Sequence, residues 1–403
     1  MEKIKRENYL SILRNFKDKQ IIKVITGIRR CGKSTLLEIF QDYLKENGVE
    51  EKQIISINFE NADFEELQDR KKLHEYLKRK LIKDKKTYIF LDEIQNVPEF
   101  EKTVDSLFID KNVDLYITGS NAHLLSSELA TLLTGRYIEI KMLPLSFSEY
   151  LSAFEDKTDL SRKFRNYLRY SSFPQAIELY QANPDNIEIF LEGIYSTILF
   201  KDVMKRKGIT DKNVLERVTK YLYDNIGNRT SIKSISDNIE GLNKNNSYNT
   251  VSNYVEALKK SYMLYKANRY DIKGKEFLKT QEKYYAIDIG LRYHILGQNS
   301  GRDMGHILEN IVYLELLRRG YNVYIGKIDE LEVDFVAKNS KDTIYYQVAL
   351  TTREDATLQR ELTPLKKIND NYPKYILTMD DDLDADFDGI KKINVIDWLL
   401  QNK

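Results

Sequence analysis

The stretch Gly27-Ile28-Arg29-Arg30-Cys31-Gly32-Lys33-Ser34-Thr35 reads G-x-x-x-x-G-K-S, the spacing of a phosphate-binding loop. Before it runs Ile21-Ile22-Lys23-Val24-Ile25-Thr26, short, apolar and β-branched, which predicts a buried strand. After it, Leu36, Leu37, Ile39, Phe40 and Leu44 recur at helical spacing. Strand, glycine-bearing loop and helix form the context in which such a loop works. Glycine lets the backbone wrap with its N–H groups pointing inward, and the helix start adds positive partial charge. Residues 27–35 are therefore expected to cradle a nucleotide. Lys33 would reach its β- and γ-phosphates, and the Ser34 hydroxyl would ligate Mg²⁺.

The composition sets outer limits. At 403 residues the chain is too long for one ordinary core, so several domains are expected. Lys plus Arg number 63 and Asp plus Glu 62, so any nucleic-acid contact must be a local patch. Cys31 is the single cysteine, which fits a reducing cytosol. It reads either as a redox sensor or as a small filler of the loop. The opening residues lack the apolar core of a signal peptide, and no window approaches about 18 uninterrupted apolar residues. A cytoplasmic protein with no membrane partner is the expectation.

Further strands follow the loop. Residues 53–60 read as one. Tyr88-Ile89-Phe90-Leu91-Asp92-Glu93 is an apolar strand ending in two carboxylates. In a nucleotide-hydrolysing domain, Asp92 would hold Mg²⁺ and Glu93 would polarise the attacking water. Asp114-Leu115-Tyr116-Ile117-Thr118-Gly119-Ser120-Asn121 is another strand with a polar end. There a side chain can sense the γ-phosphate, or Ser120 or Asn121 can simply cap a helix. Arg136 stands just before the strand Tyr137-Ile138-Glu139-Ile140. It could stabilise phosphoryl charge from its own chain or from a neighbour, or it could be a surface ion-paired residue.

These motifs, with Thr134-Gly135-Arg136-Tyr137 and Pro144-Leu145-Ser146-Phe147, resemble a family of prokaryotic AAA-type ATP-binding proteins with a C-terminal domain of unknown function. The resemblance runs along nearly the whole chain. It implies an α/β fold, a P-loop NTPase parallel sheet of the AAA type in strand order 5-1-4-3-2. It also implies Asp92 and Glu93 as the Walker B pair and Asn121 as the sensor.

The remainder divides by pattern. Residues 1–146 would be the ATPase core and 147–208 a helical lid or connector. The run Tyr170-Ser171-Ser172-Phe173-Pro174 resembles the family's Tyr-Gly-Gly-Phe-Pro turn, with serine where glycine is usual. Residues 209–290 give three helices and a hairpin, a winged helix. Its third helix offers Asn249, Thr250, Ser252, Asn253 and Lys259, and its wing offers Arg269, Lys273, Lys275 and Lys279. That face could touch nucleic acid, yet winged helices also serve as protein-binding modules. Residues 291–403 resemble a restriction-endonuclease-like core, with Glu309 and Asp334 in the acidic positions. Gln347 stands where a third acid is usual, and Ala349 where the reactive lysine would be, so nuclease chemistry is not expected. Tyr375-Ile376-Leu377 is read as the final strand.

The resulting expectation is an ATP- and Mg²⁺-dependent switch acting on a nucleic-acid or protein partner, with oligomer formation possible. The alternatives are an ATPase with a residual C-terminal metal site, and a regulatory scaffold that binds nucleotide without hydrolysing it.

Overall fold

A computed structural model describes residues 3–120, 133–204, 209, 211–239, 247–297 and 303–401, apart from the side chains of 279 and 280. The chain divides into two compact units: Met1–Pro144 with Lys260–Tyr262, and Leu145–Lys259 with Met263–Lys403.

The first unit is built on β1 (Ile22–Thr26), β2 (Ile54–Asn58), β3 (Thr87–Asp92), β4 (Val113–Gly119) and β5 (Tyr137–Lys141). They lie in the order β2-β3-β4-β1-β5, every pair parallel, which is the expected 5-1-4-3-2 arrangement. A parallel sheet is covered on both faces, so its central strands must be apolar throughout. β1, β3 and β4 are indeed buried along their whole length. Ile89, Leu91, Leu115 and Ile117 share one core with Leu73 and Leu77 of the helix Arg70–Lys80 and Val104 and Leu107 of the helix Phe100–Phe108. From the helix Lys33–Glu46, Phe40 packs against Phe90 and Tyr116 at ring distances of 6.4 and 5.2 Å.

Two charges break the apolar pattern. Lys23 of β1 and Asp114 of β4 are fully buried and paired to each other. The Tyr116 hydroxyl and the Asp18 N–H also donate to Asp114, at 3.0 and 2.9 Å. Burial holds the Lys23 amine below its ordinary range, and Asp114 opposes that shift.

In the second unit, the stretch after Pro144 forms the helices Phe147–Ser152, Leu160–Tyr170, Pro174–Ala182 and Asn186–Thr197. Ser171 adopts φ 82°, ψ 153°, a conformation usual for glycine, so a serine stands at a backbone position suited to glycine. The Ser172 N–H and hydroxyl both donate to buried Asp288, at 2.7 and 2.5 Å. Three helices follow, Lys212–Asp224, Ile232–Asn238 and Ser247–Lys260, with β6 (Arg229–Thr230), β7 (Leu264–Asp271) and β8 (Glu276–Ala286). β6 and β7 both pair antiparallel with β8, completing a winged-helix arrangement.

The sheet does not stop there. β9 (Asn322–Ile328), β10 (Leu331–Lys338), β11 (Thr343–Val348), β12 (Lys374–Thr378), β13 (Ala385–Phe387) and β14 (Ile390–Asn394) join it. The result is one nine-stranded sheet, β13-β14-β12-β11-β10-β9-β7-β8-β6. One parallel ladder between β7 and β9 crosses the boundary expected at 290/291. The core crosses it too, since Tyr270 and Ile272 pack with Val333, Val336, Leu362 and Ile376. Tyr375-Ile376-Leu377 is not the last strand: β13 and β14 lie beyond it, both short and the second carrying two lysines, with too little apolar pattern to be read.

Candidate functional site

The phosphate loop leaves the buried end of β1. A Cβ on Gly27 would lie 2.2 Å from the Met142 carbonyl oxygen, so only glycine fits. Gly32 sits in the left-handed region, φ 100°, and opens the helix Lys33–Glu46. The loop's apolar residues, Ile28 and Cys31, are buried beneath it, and burial pushes the Cys31 thiol up. Arg29 pairs with Glu60 at 2.9 Å, while Arg30 is exposed at φ 65°. Thr35 is half-buried. The Lys33 ammonium is buried and donates to the carbonyls of Gly27 and Ile28 at 3.1 and 3.3 Å. It stands 3.4 Å from Glu93.

Asp92 ends β3, and Glu93 follows in the left-handed region at φ 53°, a strained position for a residue with a side chain. Both are buried. Burial raises the Asp92 carboxyl, against hydrogen bonds from Ser34 and Thr118. Burial also works against the Glu93 charge, but the Lys33 ammonium and the Gln95 amide outweigh it and hold Glu93 below its usual range. Glu93 is thus an ionised carboxylate able to accept a proton. Lys33, Ser34, Asp92 and Glu93 are brought together.

Thr118 and Asn58 belong to the same constellation. The Thr118 hydroxyl donates to Asp92 and accepts the Glu93 N–H at 2.9 Å. Asn58 donates to the other Asp92 oxygen at 3.1 Å. Their signal was positional. Each closes a parallel strand beside the one that ends in Asp92, because Leu91 pairs with Ile117 and Asn58 with Asp92. Arg6 was also missed. Its buried guanidinium donates to the Cys31 carbonyl at 3.2 Å and to the Leu143 carbonyl at 2.9 Å, tying the loop to the chain leaving β5. Nothing in the polar segment before the first helix marks Arg6 as buried.

Arg136 is not brought to this group. It precedes β5, whose Tyr137 pairs with Ile22 at the start of β1. The loop leaves the other end, so five residues of β1, about 16 Å of strand, lie between them. Arg136 instead pairs with Asp105 and stacks on Phe108 at 5.5 Å. Asn121 lies outside the described residues.

A second charged group occupies the C-terminal sheet. Glu309 projects from the helix Met304–Arg318, and Glu332 and Asp334 from β10, whose ladder with β9 is broken by a bulge between Val333 and Val336. They line a cavity of about 480 Å³ together with Glu361 and Lys283. Gln347 turns its amide to structural use: its Oε1 accepts the Asp334 N–H at 2.7 Å and its Nε2 donates to Glu361 at 2.9 Å. Lys283 is the unexpected member, delivered by β8 from the winged-helix segment. Burial and the negative Glu309 push the Asp334 carboxyl well up. Among the described residues, no group of three or more His, Cys, Asp or Glu is placed to hold a metal ion.

A five-stranded parallel sheet in this order, with a glycine-bearing phosphate loop after β1 and paired carboxylates closing β3, defines a P-loop ATPase of the AAA type. The comparisons agree. Residues 19–151 match the model of an AAA domain family, and residues 161–302 that of a domain of unknown function (DUF8612). An uncharacterised protein of Haemophilus influenzae is 41% identical over 402 residues, covering 99% of each chain. The uncharacterised protein MJ1544 of Methanocaldococcus jannaschii is 30% identical, covering 93% of this chain and 85% of that one. The chain therefore belongs to this family of AAA-type P-loop proteins, with a second domain, of unknown function, following the AAA domain. Among solved structures, it resembles the Walker-type ATPase PABY2304 of Pyrococcus abyssi with 15% identity and a TM-score of 0.47, over 72% of this chain and 95% of that one. It also resembles the ORC1 protein of Aeropyrum pernix in complex with DNA, with 13% identity and a TM-score of 0.32, over 73% and 92%. No described helix is long and apolar enough to cross a membrane.

Proposed function

We propose that the chain binds ATP with Mg²⁺ at residues 27–35 and hydrolyses it, and that the cycle switches its action on a macromolecular partner. The observation that carries this reading is the convergence of Lys33, Ser34, Asp92, Glu93 and Thr118 at one end of the parallel sheet. The residues fit the ligands: the glycine cradle leaves backbone N–H groups for phosphate, and Ser34 and Asp92 offer oxygens to Mg²⁺. Bound there, the cation would neutralise charge on the phosphates. Lys33 would turn from the Gly27 and Ile28 carbonyls toward the phosphates, and Glu93 would accept a proton from water.

Nucleotide binding and phosphate release test this directly. Lys33→Ala should weaken ATP binding roughly 10- to 100-fold, the loss of a charged hydrogen-bond donor. Glu93→Gln should retain ATP while phosphate release falls by about 10²- to 10⁴-fold. Normal ATP binding with no phosphate release, unchanged by Glu93→Gln, would favour the non-hydrolysing scaffold.

The partner is engaged in this reading through the helix Ser247–Lys260. Its exposed face holds Tyr248, Asn249, Asn253 and Glu256, and Glu256 pairs with Lys259 at 2.7 Å. On the hairpin, Lys273 pairs with Asp329 at 3.4 Å. That charge balance favours a protein partner over a phosphate backbone. Steeply salt-dependent DNA binding, lost on Asn249→Ala and Asn253→Ala, would reverse the preference. Arg136 enters the reaction only from a neighbouring subunit. Activity regained on mixing Arg136→Ala with Lys33→Ala chains would support that role, and no recovery would remove it.

A further inference from the structure

The Lys283 Nζ lies 2.8 Å from Glu309 Oε1, 2.8 Å from Glu332 Oε1 and 4.0 Å from Asp334 Oδ1. It is buried, with 5% of its side chain exposed. Three carboxylates from a helix and a bulged strand thus converge on one ammonium that reaches them from a third element. The Tyr285 hydroxyl, two residues further along β8, adds a hydrogen bond to the same Glu309 oxygen at 2.6 Å. We infer that this cluster is a cation site whose cation is the protein's own Lys283: arranged around the ammonium, the carboxylates are not placed to hold a metal ion, and only its removal would free them to close on a divalent one.

Three observations support the assignment. The ammonium sits inside the carboxylate cluster, where a free cation would have to displace it. The surrounding charges are already matched: Arg229 pairs with Glu332, and Arg360 with Glu361 at 2.8 Å. Gln347, at the position of a possible further oxygen ligand, is committed to Asp334 and Glu361. The lysine also joins what the sequence separates, since it stands on the winged-helix hairpin while the acids belong to the C-terminal core. A tethered cation holds the two parts of the sheet together at all metal concentrations, and it leaves the nuclease-like pocket unable to activate water through a metal.

Manganese titration of the full chain without nucleotide, followed by the electron-spin resonance of free Mn²⁺, tests this. The wild-type chain should show no Mn²⁺ site that disappears on Glu309→Gln. Lys283→Met should gain one such site, lost again when Glu309→Gln is added, and Lys283→Arg should gain none. A wild-type Mn²⁺ site that vanishes in Glu309→Gln would overturn the inference, as would Mn²⁺-dependent DNA cleavage abolished by Asp334→Ala. A folded Lys283→Met chain that gains no site would overturn it equally. Should Lys283→Met fail to fold, the wild-type titration alone decides the matter.

Discussion

At the scale of single residues, the candidate ATP site depends on small donors that set the two carboxylates. Thr118 is buried and serves both, donating to Asp92 and accepting the Glu93 N–H. Thr118→Val keeps the shape and removes the hydroxyl. A hydrogen bond to a charged group contributes about 1.5–3 kcal/mol, so phosphate release should fall roughly 10- to 100-fold. ATP affinity should change far less, because the Thr118 hydroxyl is committed to the Asp92 carboxylate and the Glu93 N–H. A parallel fall in both would mark Thr118 as a general stabiliser of the fold. Cys31 yields a second prediction. Burial raises its thiol above the ordinary value, so the reactive thiolate is scarce at neutral pH and in mildly alkaline buffer. Iodoacetamide at about pH 8 should label the native chain far more slowly than the urea-unfolded chain, where the thiol returns to about 8.5. Rapid native labelling would instead support a redox sensor over a loop filler.

At the scale of elements, β1 and β4 are held by more than apolar packing. The Lys23–Asp114 pair is fully buried between them, and removing one partner of such a pair costs about 3–5 kcal/mol. Lys23→Met should lower the urea midpoint accordingly. Lys23→Met with Asp114→Leu should recover only part of the loss, since the Tyr116 hydroxyl and Asp18 N–H would lose their acceptor. Full recovery would mean that the pair contributes nothing specific. The parallel sheet itself was legible, because its strands are continuous apolar runs punctuated by loop chemistry, and Asp92 and Glu93 stood out behind one of them. Ser171 was legible only as a departure, and the structure shows its backbone at φ 82°, a region that favours glycine. The position of Arg136 was not legible. Its place in the chain is close to a strand, but the end of the sheet it occupies follows from the β1–β5 register, which no local pattern encodes. Lys283 was invisible for the same reason: its partners lie 26 or more positions away and meet it only through the fold.

At the scale of the whole chain, the second unit is organised by one sheet that merges the winged-helix hairpin with the C-terminal core. β9 meets β7 along a parallel ladder, and the core around Val333 and Leu362 includes Tyr270 and Ile272 of the hairpin. A fragment beginning at residue 291 would therefore expose the β9 edge as unpaired N–H and C=O groups, a template for association. It would also lose Lys283 from a pocket holding Glu309, Glu332 and Asp334, leaving buried carboxylates without their cation. Such a fragment should aggregate or give only a broad, non-cooperative unfolding transition in circular dichroism. A fragment of residues 145–403, which keeps the ladder and the lysine, should unfold cooperatively. If 291–403 folds alone as a monomer with a sharp transition, the sheet is two domains abutting edge to edge. If only 145–403 does, the winged helix and the nuclease-like core are one folding unit, and any movement of the helix Ser247–Lys260, proposed above to engage the partner, must carry or strain the C-terminal sheet with it.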